Sequence, residues 1–263
     1  MSLSVDVTDV TVRAADRTRL DAVSVTVTPG RVHALIGANG SGKSTLLTVI
    51  AGELVPDSGL VTISPTSPAG TASPPRTWKD FDARQSARLR ALLAQDTPIA
   101  FSYSVADVIR WGRLAWQGTP DQRQDEEVLD EEIAANDIAH LLDRRITELS
   151  GGERARVHLA RVLCQRAPLL LLDEADATLD LAGQSHLDAA VQRRRAAGDA
   201  IVIISHDLTR VARLADDVTV LENGRVLAAG AMRQTMTADV LSEAYGVAVD
   251  VQEIEGSLLI SRR

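Results

Sequence analysis

Gly37-Ala38-Asn39-Gly40-Ser41-Gly42-Lys43-Ser44 is a run of residue types suited to gripping a phosphate. Glycines let the backbone curl until several N–H groups face one point, and a helix starting behind the loop adds the positive end of its dipole. In such a loop Lys43 supplies a mobile charge for β- and γ-phosphates, and the Ser44 hydroxyl can ligate Mg²⁺. The candidate nucleotide contacts are Gly37, Asn39, Gly40, Ser41, Gly42, Lys43, Ser44 and Thr45. A glycine-rich turn before a helix is the plainer explanation. The full pattern, with a strand before it and a helix after it, points to a nucleoside triphosphate and leaves the reaction open.

Two further segments carry chemistry. Leu169-Leu170-Leu171-Leu172-Asp173-Glu174 is an apolar strand closed by two acids. Asp173 can hold Mg²⁺ through water, and Glu174 can accept a proton from an attacking water. Two acids closing a buried strand would be unremarked in isolation; the upstream phosphate loop favours the catalytic reading. Leu149-Ser150-Gly151-Gly152-Glu153 precedes a helix through Arg161. Ser150 and the N–H groups of Gly151 and Gly152 would form a second anion site at a helix N-terminus. A capping box explains the start of that helix, but not two phosphate-binding loops in one chain.

These segments need rigid elements to hold them. Val5, Val7, Val10 and Val12, then Val23, Val25 and Val27, read as half-buried antiparallel strands. Pro29-Gly30 is a turn, and Val32 to Ile36 is an apolar run ending at the phosphate loop. A helix follows Gly42 and stops near Gly52, residues 64–80 read as a loop rich in proline, and residues 83–93 read as helical. Residues 105–145 are mostly helical and acidic around Asp125 to Glu132. Leu169 to Leu172 and Ala200 to Ile204 read as strands buried on both faces, Leu181 to Ala197 as a helix, and Val218 to Ala228 as a hairpin turning at Asn223-Gly224. This alternation predicts an α/β fold with a mainly parallel sheet and helices on both faces.

Composition narrows the function classes. At 263 residues and 45% hydrophobic, the chain can bury a full core without disulfides or metals. A net charge of -8 argues against broad neutralisation of nucleic acid, so Arg193-Arg194-Arg195 is read as a solvated helix face. The one cysteine, Cys164, is expected in the core. Neither a secretory signal nor a run of about 18 apolar residues occurs, so a cytoplasmic protein reaching the membrane through a partner is expected.

Taken together, the phosphate loop, the acidic strand end and Leu149 to Glu153 resemble the ATPase subunits of ABC transporters, and the motif order along nearly the whole chain is that family's. The resemblance implies a P-loop NTPase core of the RecA-like type with an N-terminal antiparallel β region and an inserted α-helical subdomain. The single domain 1–263 would divide into 1–95 and 165–230 (ATP-binding core), 96–164 (helical signature subdomain) and 231–263 (tail). It further implies that Gln95 is the glutamine of the Q-loop, contacting Mg²⁺ along with Ser44 and Asp173, and that Ala177-Thr178-Leu179-Asp180 is the D-loop. His206, in Ser205-His206-Asp207, becomes the switch histidine touching the γ-phosphate. Glu174, His206 and Lys43 are then the catalytic residues. Ser150, Gly151, Gly152 and Glu153 would close on the ATP held by a second copy, giving a head-to-tail homodimer that binds ATP and Mg²⁺.

The sequence departs from the family at Ala175, Ala38 and Ala94, where proline is usual, and at Arg154-Ala155-Arg156 after the signature. None of these removes a catalytic group. Near Ala14, where the family places an aromatic on adenine, no aromatic occurs before Trp78. Adenine would then rest on aliphatic surface or on Arg13 or Arg17.

Ala100-Phe101-Ser102-Tyr103-Ser104-Val105, Val108 to Arg113 and the tail segment Val240 to Val247 resemble ATPases of iron-chelate and cobalamin importers. Arg84 to Arg90, the Ala-Phe pair and Glu153 resemble the haem importers among them most. Partners implied are a permease dimer and, indirectly, a periplasmic or lipid-anchored substrate-binding protein, with no nucleic acid, at the cytoplasmic face of the membrane. A ferric-siderophore or cobalamin importer, and a soluble ABC ATPase without a permease, are the alternatives.

Overall fold

The computed structural model describes residues 2–14, 17–66, 74–95, 101–254 and 257–263. β1 (Ser2–Ala14) and β2 (Arg17–Val27) form an antiparallel hairpin. The register slips between Val7 and Val10, where Asp9 takes a φ of 48°, and this bulge keeps Val10 and Val12 on the same buried face as Leu3, Val5 and Val7. β3 (Val32–Ile36) leads through the phosphate loop into α1 (Lys43–Ile50), and β4 (Ser58–Thr66) returns beside β1.

α2 (Ala83–Leu89), β5 (Arg90–Leu93), α3 (Val105–Arg110), α4 (Asp125–Ala135) and α5 (Gly151–Cys164) follow. Next come β6 (Leu169–Asp173), α6 (Leu181–Ala196), β7 (Ala200–Ile204), α7 (Leu208–Leu214) and the hairpin of β8 (Asp217–Glu222) and β9 (Arg225–Ala231). The chain ends in α8 (Met232–Thr235), α9 (Ala238–Tyr245) and the hairpin of β10 (Val249–Ile254) and β11 (Ser257–Arg262).

The central sheet has the order β5-β6-β7-β3-β8-β9 and is parallel except for β9. Every residue of β3, β6 and β7 is buried, because both sheet faces are covered. Side chains alternate between those faces. Leu170, Leu172, Ile201 and Ile203 pack among residues of α5, α6, α7 and α9, while Leu169, Leu171, Val202 and Ile204 pack against α1 and the three-stranded sheet.

α5 serves two cores. Leu159, Val162 and Leu163 face the central sheet, whereas Val157, Ala160 and Cys164 face a separate cluster with Val105, Ile109, Leu129 and Leu141. Cys164 is fully buried, and desolvation pushes its thiol up to about 12, so it is core and not a nucleophile. Among the described residues, no helix is long and apolar enough to cross a membrane.

Three sequence expectations need correction. Residues 90–93 are not helical: they form β5, whose Leu92 and Leu93 pair in parallel with Leu171 and Leu172. The Asp82–Gln85 capping box starts α2 correctly, but the sheet edge captures the next four residues. Residues 64–66 are strand rather than loop. Pro65 is tolerated there because β4 lies at the edge of the order β2-β1-β4. Residues 67–73 of that expected loop, Ala100 of the importer-like segment, and residues 15–16 next to Ala14 lie outside the described residues.

Third, Arg193, Arg194 and Arg195 are not a solvated run. They pair with Glu132 at 3.2 Å, Asp199 at 2.6 Å and Asp216 at 2.5 Å respectively, and Arg194 is buried. Glu132, itself wholly buried on α4, also pairs with Arg166 at 3.2 Å. The arginines therefore tie α6 to its neighbours and present no free basic face.

Candidate functional site

The phosphate loop is held open by glycine geometry. Gly37 sits at φ +142°, and a Cβ there would stand 2.1 Å from the Leu221 carbonyl oxygen. Gly42 sits at φ +106°, where a Cβ would meet the Arg19 carbonyl oxygen at 2.8 Å. β2 therefore passes directly against the loop, two residues beyond Arg17. Asn39 and Gly40 are exposed at the crest, and Ser41 is buried.

The Lys43 side chain turns back into the loop. Its Nζ donates to the carbonyls of Gly37 at 2.8 Å and Ala38 at 3.0 Å. Burial lowers its pKa, while the nearby Glu174 and Asp173 oppose that shift. Ser44 donates through Oγ to Asp173 Oδ1 at 3.4 Å, which joins the loop to the end of β6. Asp173 is buried, and this desolvation raises its carboxyl pKa.

Glu174 is the meeting point of the other segments. One carboxylate oxygen accepts from Gln95 Nε2 at 2.7 Å, and the other lies 2.7 Å from His206 Nε2. A carboxylate only accepts, so His206 donates from Nε2. The backbone at Glu174 is left-handed, with φ 49°, while its N–H donates to the Ile204 carbonyl at 3.0 Å. A non-glycine residue in this region costs on the order of 1 kcal/mol and is characteristic of functional sites. Here it turns the side chain off the strand axis toward Gln95 and His206. The arrangement can hold a phosphate beside a carboxylate positioned to take a proton from water.

Ser150 caps α5. Its side chain accepts from the Glu153 amide, and its own N–H and hydroxyl donate to Glu153 Oε2 at 2.8 and 2.7 Å. These bonds hold the Glu153 carboxyl below its usual range. Asp180 caps α6 by accepting from the Gly183 amide at 2.8 Å. A crevice of about 700 Å³ separates α5 from the strand ends; Gln95, Gly151, Arg154, His158, Glu174 and Thr178 line it. A Cβ on Gly152 would meet the Thr178 carbonyl at 3.6 Å, so the start of α5 and the segment before α6 are neighbours.

The expected site residues thus form two groups. Lys43, Ser44, Asp173, Glu174, Gln95 and His206 are joined by direct contacts or by backbone connection. Among the described residues, no hydrogen bond joins Ser150, Glu153 or Asp180 to the phosphate loop.

Two supporting features were not among the site residues expected from the sequence. Asp176 accepts from Ser205 Oγ at 2.6 Å and pairs with Arg210 at 3.1 Å, and the buried Arg210 also pairs with Asp188 at 2.5 Å. This network binds the segment after Glu174 to the segment before His206. Asp207 capping α7 through the Arg210 amide was the only local hint. The second feature is Tyr245, whose hydroxyl accepts from the Gly37 amide at 3.2 Å.

Comparison with known proteins places this geometry among relatives. The family model described as ABC transporter matches residues 20–177. The hemin import ATP-binding protein HmuV of Streptomyces coelicolor is 41% identical over 240 residues, 91% of this chain and 82% of its own length. The protein of the same name from Thermobifida fusca is 39% identical over 89% of this chain and 79% of its own. Among solved structures, an inward-facing putative metal-chelate type ABC transporter superposes with a TM-score of 0.77 at 21% identity, covering 98% of this chain and 96% of that one. The ATP-binding subunit of another ABC transporter superposes with a TM-score of 0.76 at 24% identity, covering 88% and 91%. These two likenesses are of fold.

Proposed function

This chain belongs to the ABC transporter family and is one of its ATPases, and we propose that it powers the import of haem through a membrane permease. The haem reading is carried by likeness, along almost the whole chain, to relatives named for hemin import. The reading of the site is carried by Glu174, held between Gln95 and His206 beside the Lys43 loop.

Lys43 and the amides of the phosphate loop after Gly37 bind the phosphates of ATP. Glu174 takes a proton from the attacking water, and His206 contacts the γ-phosphate. Most of the acceleration comes from positioning and charge stabilisation. The donors near the loop fit Mg²⁺, a hard cation that takes oxygen ligands. The Ser44 hydroxyl and the buried Asp173 carboxylate already meet at 3.4 Å. Gln95, whose amide nitrogen donates to Glu174, would add its carbonyl oxygen. When bound, the cation would neutralise charge on the phosphates.

Two copies dimerise head to tail, so that ATP lies between Lys43 of one and Ser150 of the other. Two observations support this. Among the described residues Ser150 and Asp180 do not bond to their own phosphate loop, and Leu181, directly after Asp180, is 84% exposed where a second copy would meet it. The chain would sit on the cytoplasmic face of the membrane against a permease dimer and respond indirectly to a substrate-binding protein. The exposed pair Phe101 and Tyr103, just beyond Gln95, supports permease contact in that region. The residue blocks 1–95 with 165–230, 96–164 and 231–263 would move as ATP-binding core, signature subdomain and tail.

Deleting the gene and supplying iron only as haemin, or only as a ferric siderophore, tests the cargo. Growth should fail on haemin alone. Normal growth on haemin with loss on the siderophore would reject haem and leave the ATPase assignment standing.

A further inference from the structure

The tail helix α9 is placed by features unrelated to ATP chemistry. Thr237 caps its start by accepting from the Val240 amide, Gly246 ends it at φ 66°, and Leu241 and Ala244 are buried in the main core. These contacts fix where its last residue, Tyr245, projects. The Tyr245 hydroxyl accepts from the Gly37 amide across 208 residues of sequence.

Gly37 is buried. The Leu221 carbonyl and the Ser41 side chain fill the space a Cβ would take there, and its carbonyl accepts from Lys43 Nζ at 2.8 Å. An unpaired buried N–H is costly, so the hydroxyl that satisfies it selects one orientation of this peptide. The ring is half-buried and packed on the core, and desolvation raises its phenol pKa, so the hydroxyl stays neutral. The far end of the tail is also tied down: the Ile260 amide donates to Thr209 Oγ1 at 3.3 Å, on α7 three residues after His206.

We propose that Tyr245 is a positioning residue for ATP binding, holding the first amide of the phosphate loop from the C-terminal tail so that the loop is preformed around the phosphates. The proposal rests on the ATPase assignment. Tyr245 touches neither ATP nor water in this scheme; it acts through Gly37.

The Tyr245→Phe variant removes one oxygen and keeps the ring, so the fold is retained. Steady-state ATPase assays should show the KM for ATP raised about five- to tenfold, the equivalent of one hydrogen bond, with kcat within about twofold of wild type. Amide hydrogen exchange should show Gly37 protected in the wild type and faster in the variant, with α9 unchanged. An unchanged KM in the folded variant overturns the proposal, as does a loss in kcat alone. So does a wild-type Gly37 amide exchanging as fast as the exposed loop crest, a result independent of any variant. Wild-type turnover in the same assay tests the ATPase assignment separately.

Discussion

His206 Nε2 stands 2.7 Å from Glu174 Oε1, although the two residues come from the ends of different strands, β7 and β6. The pairing depends on the left-handed turn at Glu174 and on the parallel register that sets Asp173 opposite Ile204. The contact gives the imidazole a fixed direction, and Gln95 fixes the other carboxylate oxygen. The carboxylate is thereby pinned by two segments, each of which would move if ATP drew it elsewhere.

The shared-site arrangement predicts complementation. Lys43→Ala and Ser150→Arg should each be inactive alone. In mixed dimers, one site contains both wild-type residues and the other neither. Random pairing of equal amounts should therefore restore roughly a quarter of wild-type turnover if sites act independently, by the two-fold arithmetic of a symmetric dimer. Activity no greater than that of either variant alone would contradict independent shared sites.

Stability should fall in mild acid. Burial holds both His33 and His158 down at about 4, against 6.5 unfolded. Between those values the unfolded chain binds more protons, so stability decreases as pH falls from about 6.5 toward 4 and is insensitive to these groups above that window. Each should contribute about 1.5 kcal/mol of loss between pH 6.5 and 5. Urea midpoints at the two pH values measure the total, and His158→Gln should flatten the slope. An identical slope in that variant would remove His158 from the account.

Arg210 offers a structural test of the segment behind the site. It is 5% exposed and pairs with both Asp176 and Asp188. Arg210→Met leaves Asp176 with only the Ser205 hydroxyl and Asp188 with only the exposed Arg213, and should cost about 2–3 kcal/mol. Turnover should fall as well, because Asp176 holds Ser205, the neighbour of His206, at 2.6 Å. Denaturant unfolding read beside ATPase activity checks both effects; a loss under about 1 kcal/mol would show that water satisfies the pair.

Much of the fold was legible because its strands announce themselves. Leu169 to Leu172 and Ala200 to Ile204 are continuous aliphatic runs, and only strands covered on both faces need those. Asn223 and Gly224, with φ of 49° and 79°, turn the hairpin their residue types imply. Arg90 to Leu93 was not legible: four residues show neither period, and only pairing with β6 makes them a strand. Arg193 to Arg195 misled for a related reason, since their acidic partners lie between 5 and 61 residues away in sequence. Glu174 could be singled out by its place at the end of an apolar strand, whereas Gln95 and His206 stood out only through the resemblance to ABC ATPases, and the meeting of all three depends on strand order. Tyr245 lies in the tail segment that stood out by resemblance, but its contact gave no sign, because nothing local connects a tail helix to Gly37.

The most direct test of the account is ATP turnover by Glu174→Gln. The amide keeps the shape of the side chain but cannot take a proton from water. Nucleotide binding should therefore remain close to wild type while kcat falls by at least about 100-fold. Phosphate release and equilibrium binding of ATP, measured on the same preparation, would give that result if Glu174 is the base; turnover near the wild-type rate would contradict it.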